Sequence, residues 1–264
     1  MSMKMKTQAN QDALQILNKV PEVTIYFWII KIMATTVGET AADFLSFNLH
    51  LGLTITSILM SFFLLIAMLI QVRAKKYVPW IYWIAVVLIS VVGTLITDNL
   101  VDNFGVRLQT TTIVFGVALL ATFITWYISE KTLSIHSIFT RKRELYYWTA
   151  ILFTFALGTA TGDLAAEAWK LGYATSALIF AGIIALVTLA FYQFKLNAIL
   201  VFWVAYILTR PFGASFGDLL SQPKKYGGLD LGTAGTSVIF LSIIILLVAY
   251  VSNTKNIENS SFRD

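Results

Sequence analysis

Eight apolar segments, each about 20 residues long, account for most of this chain of 264 residues. A helix needs about that length to cross the hydrocarbon core of a bilayer. Inside a bilayer all backbone hydrogen bonds must be satisfied within the protein, which limits spanning segments to helices and closed barrels. The pattern therefore predicts an all-α membrane protein with about eight transmembrane helices. They are predicted at Val23–Ser46, Leu51–Val72, Val78–Val101, Thr110–Ser129, Tyr146–Ala168, Tyr173–Phe194, Ala198–Leu220 and Gly232–Val251.

The charged residues are few, and they predict the orientation of the chain. Only 12% of the residues are charged and 58% are hydrophobic, which disfavours a soluble enzyme, a disordered chain or a nucleic-acid-binding module. Most of the 19 lysines and arginines fall on the side of the N-terminus, so both termini are predicted in the cytoplasm. Residues 1–20 and 253–264 are then cytoplasmic tails, and residues 130–144 are a cytoplasmic connector between halves 21–129 and 145–252.

An internal repeat is centred on an aspartate. Four segments align without gaps: VGETAADFL, VGTLITDNL, LGTATGDLA and FGASFGDLL. Their aspartates are Asp43, Asp98, Asp163 and Asp218, and a glycine precedes each by five residues, at Gly38, Gly93, Gly158 and Gly213. A repeat of two spans keeps its direction on duplication, so we expect four parallel two-helix repeats in two pseudo-symmetric halves. The four aspartates should then lie at one depth.

Further polar residues lie on the same helix faces as the aspartates, since residues four apart share a face. A carboxylate at the bilayer centre costs about 2.5–3.5 kcal/mol, so such residues usually face the interior of a bundle and are functional. Asp102 and Glu167 lie nearest the water, and the threonines could equally bond to their own helix. The candidate metal ligands are Glu39, Asp43, Asp98, Asp163, Asp218, Thr94, Thr159, Glu167 and Asp102.

The available ligand types favour a hard cation. The chain has no cysteine and two histidines, His50 and His136, both near predicted span ends, so thiolate and imidazole metal sites are disfavoured. Oxygen ligands suit ions such as Mn²⁺, Mg²⁺ or Ca²⁺. Converging carboxylates can also exchange protons for a cation. We expect a secondary transporter of a hard cation, with Mn²⁺ the first candidate, exporting it in exchange for protons. No resident cofactor and no enzymatic activity are expected.

Two other functions stay open at this point. A ring of acids can serve as the filter of a cation channel. Gly162-Asp163 and Gly217-Asp218 resemble half of the GxGD motif of intramembrane aspartyl proteases, although Ala160 and Ser215 replace the first glycine of the motif. The predicted partners are a metal ion or proton and the lipid bilayer, with no nucleic acid; a homo-oligomer is compatible with the sequence.

Three local features generate further expectations. Lys31 and Arg210 are predicted to be buried bases that could neutralise some of the acids. Pro211 is predicted to break the seventh span, because proline removes a backbone hydrogen bond. An interfacial aromatic belt is predicted at Tyr77, Trp80, Tyr82, Trp83, Tyr146, Tyr147 and Trp148.

The stretches YFWIIKIMATTVGETAADFLS (residues 26–46) and TFALGTATGDLAAE (residues 154–167) carry a family resemblance. They resemble a family of conserved bacterial integral membrane proteins of uncharacterised function. The resemblance covers nearly the whole chain and implies residence in the bacterial inner membrane. It implies no reaction and no residue roles.

Overall fold

The computed structural model describes residues 18–261, and its helices follow the predicted segments closely. Eight long helices are present in this part of the chain, with no strand. Residues 1–17 of the predicted N-terminal tail lie outside the described residues, as do residues 262–264. The helices are α1 (Ile25–Asp43), α2 (Gly52–Arg73), α3 (Pro79–Asp98), α4 (Leu108–Glu130), α5 (Arg141–Asp163), α6 (Tyr173–Phe194), α7 (Ala198–Ser221) and α8 (Thr233–Ser261).

Seven of these helices, α2 to α8, are long and apolar enough to cross a membrane. Helix α1 carries three charged residues, Lys31, Glu39 and Asp43, within its 19 residues. Two helices extend well beyond their predicted segments. Helix α5 begins at Arg141, inside the predicted connector, where the Thr140 hydroxyl accepts a hydrogen bond from the Arg143 amide. Helix α8 continues to Ser261, into the predicted C-terminal tail.

The helices form an inner ring of four and an outer layer of four. In the inner ring α1 packs on α3, α3 on α5, α5 on α7, and α7 on α1. Each outer helix packs on the inner helix that follows it in the chain: α2 on α3, α4 on α5 and α6 on α7, while α8 closes the circle on α1. The inner helices α3, α5 and α7 are mostly buried, whereas the outer helices expose most of their apolar residues. The aspartate-bearing helices are therefore the inner ones.

The repeated glycines set the spacing of the inner ring. Each glycine packs against the residue that lies eight positions before the aspartate of the next repeat, and the glycine of the fourth repeat packs against the first repeat. The contacts are Gly38 with Ser90, Gly93 with Phe155, Gly158 with Arg210 and Gly213 with Thr35. A Cβ atom at any of the four would lie within 2.6 Å of its neighbour, closer than real side chains approach. Glycine is thus required by close helix packing.

A ring of aromatic contacts closes the end of the bundle at which the inner helices begin, which we call the aromatic end. An aromatic residue followed by tryptophan lies 16 and 15 residues before each aspartate: Phe27-Trp28, Tyr82-Trp83, Tyr147-Trp148 and Phe202-Trp203. Each first ring contacts the tryptophan of the next repeat, from Phe27 with Trp83 at 5.7 Å around to Phe202 with Trp28 at 5.6 Å. These contacts bury large apolar surfaces between all four inner helices.

The predicted aromatic belt is wrong for five of its seven residues. Tyr77, Tyr82, Trp83, Tyr147 and Trp148 are buried in the core, and the hydroxyls of Tyr82 and Tyr147 lie 2.5 Å apart. The last four follow the period of the aspartate repeat, which places them on the inner faces of the helices instead of at an interface.

The predicted break at Pro211 is also wrong, because α7 runs without interruption from Ala198 to Ser221. Neighbouring hydroxyls bond to the carbonyl groups of this region: Thr209 donates to Tyr206 at 2.7 Å, and Thr35 donates to Thr209 at 3.3 Å. Packing against neighbouring helices allows a proline inside a helix in such surroundings.

The short segment before α1 connects two helices that are far apart in the sequence. The Lys19 ammonium forms a buried ion pair with Glu144 at 2.6 Å and donates to the Val72 carbonyl. The Gln71 amide also donates to Glu144. The end of α2 and the start of α5 are thereby joined through residue 19.

The glycine contacts generate a prediction about stability. Gly158→Ala would place a methyl group 2.1 Å from Arg210 Cγ, so we expect a loss of about 1–3 kcal/mol in the free energy of unfolding. Gly182→Ala is the matched control, since nothing lies within 4 Å of its added methyl group and alanine favours helix by about 1 kcal/mol. Thermal unfolding in detergent should separate the two; equal midpoints would contradict the packing described.

Candidate functional site

A cavity of about 870 Å³ opens at the end of the bundle opposite the aromatic end, where the inner helices terminate; we call this the acidic end. Of the 14 acidic residues in the chain, eight line this cavity. No lysine, arginine or histidine is among its lining residues. The acids are Glu39, Asp43, Asp98, Asp102, Asp163, Glu167, Asp218 and Asp230. All seven carboxylates predicted to lie on shared helix faces are therefore in one cavity.

Three carboxylates from three inner helices converge at the bottom of the cavity. One oxygen each of Glu39, Asp163 and Asp218 lies within 4.8 Å of the others. Glu39 and Asp218 are buried, and Asp163 is half-buried. Three oxygen ligands at this spacing could close around one hard cation with little movement. We call these three residues the carboxylate trio.

The other two repeat aspartates line the same cavity outside the trio. Asp43 accepts a hydrogen bond from the Gln222 side chain at 3.2 Å. Among the described residues, Asp98, Asp163 and Asp218 have neither a hydrogen-bond donor nor an ion-pair partner. Asp218 is buried, and Asp98 and Asp163 are half-buried. Buried charges are ordinarily paired or bind a cation, so carboxylates without a protein partner could bind a cation or a proton.

The residues one turn beyond the aspartates form the rim. Asp102 and Glu167 are exposed there, and the Tyr173 hydroxyl donates to Glu167 at 3.1 Å. Asp230, in the loop between α7 and α8, adds an acid that the repeat could not predict because it lies outside the helices.

Short π-helical turns follow the aspartates of the first three repeats, at Phe44–Asn48, Asn99–Asn103 and Leu164–Ala168. Such turns are rare and are frequent at functional sites. In the fourth repeat α7 instead ends at Ser221, whose hydroxyl lines the cavity, is buried, and has no hydrogen-bond partner among the described residues. All four repeats thus lose regular α-helical geometry within a turn of their aspartate.

Arg210 lies directly below the carboxylate trio, outside the cavity lining, and connects all four inner helices. The guanidinium projects from α7 and is fully buried. Its Nη2 donates to the Glu39 carboxylate of α1 at 2.9 Å, to the Thr159 hydroxyl of α5 at 2.7 Å, and to the Thr94 hydroxyl of α3. Its Nη1 donates to the Thr35 carbonyl at 3.2 Å. The expected pairing of Arg210 with an acid is confirmed, and its partner is Glu39.

Thr94 and Thr159, two of the candidate ligands, therefore hold Arg210 in the structure. They lie four residues before their aspartates, at the position that Glu39 occupies in the first repeat and Ala214 in the fourth. Arg210 thus bonds to the residue at this position in each of the other three repeats. In its own repeat the position is held by Ala214.

Lys31 lies deeper on the same axis and forms no ion pair with any acid in the part of the chain that the structure describes. Its ammonium is fully buried, 4.3 Å from the ring centres of both Phe155 and Tyr206. Its Nζ has no hydrogen-bond partner among the described residues. Contact with aromatic faces partly offsets the cost of burying this cation. Arg210, Lys31 and the aromatic contacts together fill the axis between the cavity and the aromatic end.

The four aromatic–tryptophan pairs were not predicted from the sequence, although they lie at a fixed distance from the repeat aspartates. Extending the aspartate alignment by 16 residues towards the N-terminus aligns all four pairs without a gap.

These features define a class: a helical bundle of four two-helix repeats around one acidic cavity. The chain belongs to the family described as Repeat of Unknown Function (DUF347), whose model matches residues 26–77, 81–132, 146–196 and 201–256. Each matched repeat holds one inner helix and the outer helix that follows it. The expected membership in an uncharacterised family is confirmed. No curated protein and no solved structure matches the chain.

The contrast between paired and unpaired carboxylates generates a prediction. Glu39→Gln should lower the free energy of unfolding by roughly 3–5 kcal/mol, because it leaves the buried Arg210 charge without a carboxylate. Asp98→Asn should raise the thermal midpoint, since it removes a half-buried charge that has no ion-pair partner among the described residues and that neighbouring acids repel. Thermal unfolding in detergent, without added divalent ions, measures both. Equal losses in the two variants would contradict this assignment.

Proposed function

We propose that the protein is a multi-pass membrane protein that transports a hard cation by a secondary mechanism, with Mn²⁺ as the first candidate. The observation that carries the proposal is the acidic cavity, in which eight carboxylates and no basic side chain face one space. Membrane residence is supported by seven helices that are long and apolar enough to span a membrane. Exposed outer-helix residues such as Ile58, Phe62 and Leu186 support contact with lipid.

The oxygen ligands in the cavity support a hard cation over a soft one. They are the carboxylates, the hydroxyls of Ser221, Tyr226 and Thr233, and the amide oxygens of Asn48 and Gln222. These are ligands that Mn²⁺, Mg²⁺ and Ca²⁺ accept. The carboxylate trio is the proposed binding site, and Asp43 and Asp98 supply nearby charge. In the absence of a cation, the same carboxylates take up protons, which couples the two fluxes in opposite directions.

The one-sided shape of the cavity supports alternating access over a channel. Arg210 and Lys31 are fully buried and fill the axis below the trio. With both termini in the cytoplasm, as the basic residues predict, the acidic end faces away from the cytoplasm. We propose the bacterial inner membrane as the location and export as the direction. In this proposal the structure corresponds to the state open to the outside.

The site also favours transport over peptide cleavage. An aspartyl protease uses two carboxylates that share a proton. Here Asp163 and Asp218 stand beside a third carboxylate, Glu39, which is paired with Arg210.

The proposal predicts metal flux and proton flux that depend on the repeat aspartates. In proteoliposomes with dyes for Mn²⁺ and pH inside, Asp163→Asn and Asp43→Asn should each slow Mn²⁺ flux at least tenfold, by removing charge from the cavity. Proton movement in the opposite direction should fall in parallel. Glu22→Gln is the matched control, since Glu22 is an exposed acid before α1 and should leave both rates unchanged.

Unchanged flux in both aspartate variants would overturn the proposed site. Cleavage of a membrane peptide by the wild type, abolished in Asp163→Asn, would instead identify a protease. Rapid Mn²⁺ flux without proton counterflow, at rates that do not saturate, would identify a channel.

A further inference from the structure

A single nitrogen of Arg210 stands where three oxygens from three helices converge. Its Nη2 lies 2.9 Å from the Glu39 carboxylate and 2.7 Å from the Thr159 hydroxyl, and it also donates to the Thr94 hydroxyl. The Thr35 carbonyl adds a fourth oxygen at the neighbouring Nη1. One carboxylate, two hydroxyls and one carbonyl form a ligand set that suits a hard cation as well as a guanidinium.

This group of oxygens is continuous with the cavity. Glu39 lines the cavity, belongs to the carboxylate trio, and holds Arg210 through its Oε2. A cation bound by the trio and the guanidinium therefore share the charge of the same carboxylate. A cation that binds Glu39 strongly weakens the ion pair between Glu39 and Arg210. In the same way, a strong ion pair with Arg210 weakens cation binding at the trio.

The oxygens belong to the repeat, whereas the guanidinium does not. Glu39, Thr94 and Thr159 occupy one repeat position in three repeats. The position of Arg210 is held by Thr35, Ser90 and Phe155 elsewhere, and none of these carries a charge. Three repeats thus place a side-chain oxygen near the axis of the ring, and only the fourth repeat supplies a cation, Arg210, that bonds to these oxygens.

We infer that the position of Arg210 Nη2 is an inner cation site, one layer below the carboxylate trio, and that Arg210 is a tethered cation which occupies it. The inference rests on the proposed cation transport and deepens it. The transported ion competes with Arg210 for Glu39, and it passes from the trio to the inner site only when the guanidinium withdraws. Arg210 accordingly keeps the ion from binding too tightly and prevents it from leaking towards the aromatic end.

Arg210→Gln provides the direct test. Removal of the tethered cation should let purified protein bind one additional Mn²⁺ per chain, or bind Mn²⁺ with at least a tenfold lower Kd than the wild type, by isothermal titration calorimetry. Arg210→Lys keeps the charge and should bind as the wild type does. Lys31→Met is the matched control, because it removes a buried cation of the same axis whose ammonium lies against two aromatic rings and has no hydrogen-bond partner among the described residues. It should not change the stoichiometry.

The results separate this inference from the proposed function. Wild-type binding of Mn²⁺ with no gain in Arg210→Gln would overturn the inner site and leave the proposed transport intact. Binding by Arg210→Gln alone, with none by the wild type, would support the inner site and contradict the proposed function. A gain of equal size in Lys31→Met would overturn the inference, because general loss of positive charge would explain it.

A second variant tests the inner site in a protein that keeps Arg210. Thr94→Val with Thr159→Val removes two of the three oxygens around Nη2 and preserves side-chain shape and the Glu39–Arg210 pair. Mn²⁺ flux in proteoliposomes should fall at least fivefold, while the Kd for Mn²⁺ at the trio stays within twofold of the wild type. Unchanged flux in this double variant would overturn the inner site.

Discussion

The hydrogen bonds of one buried guanidinium join the four inner helices at their common axis. Arg210 reaches α1, α3 and α5 from α7, so no inner helix can shift along the axis without changing at least one of these bonds. The ion pair with Glu39 places that carboxylate at the bottom of the cavity. The position of the carboxylate trio therefore depends on Arg210, although Arg210 itself is not among the residues that line the cavity.

The rest of the ring is assembled from two contacts that recur in cyclic order. Near the acidic end each repeated glycine receives a side chain of the next helix, and at the aromatic end each repeat stacks a ring on the next tryptophan. Eight carboxylates facing one cavity repel one another. The large apolar contacts are concentrated at the opposite end, where they can hold the helices together against that repulsion.

The sequence was sufficient to predict the helices, the repeat and the shared location of the seven acids, because hydropathy and the spacing of residues on a helix face are properties of a single helix. The partner of Arg210 could not be predicted. On its own helix Asp218 lies eight residues away, yet the ion pair forms with Glu39 of another helix, which depends on how the helices pack. Hydropathy also misplaced Tyr82 and Trp83, whose amphipathic rings suit an interface as well as a core. Asp230 lies in a loop where no periodicity applies.

Because α8 packs on α1, the chain closes into a circle whose four units are joined covalently in only three places. Four separate copies of one unit could build the same ring, but symmetry would then put four arginines on the axis or none. Fusion into a single polypeptide lifts that restriction. It permits one repeat to keep an arginine, another a glutamate, and two others a threonine at the level where they meet. The central charge pair of this protein is therefore a property that a ring of four identical copies cannot possess.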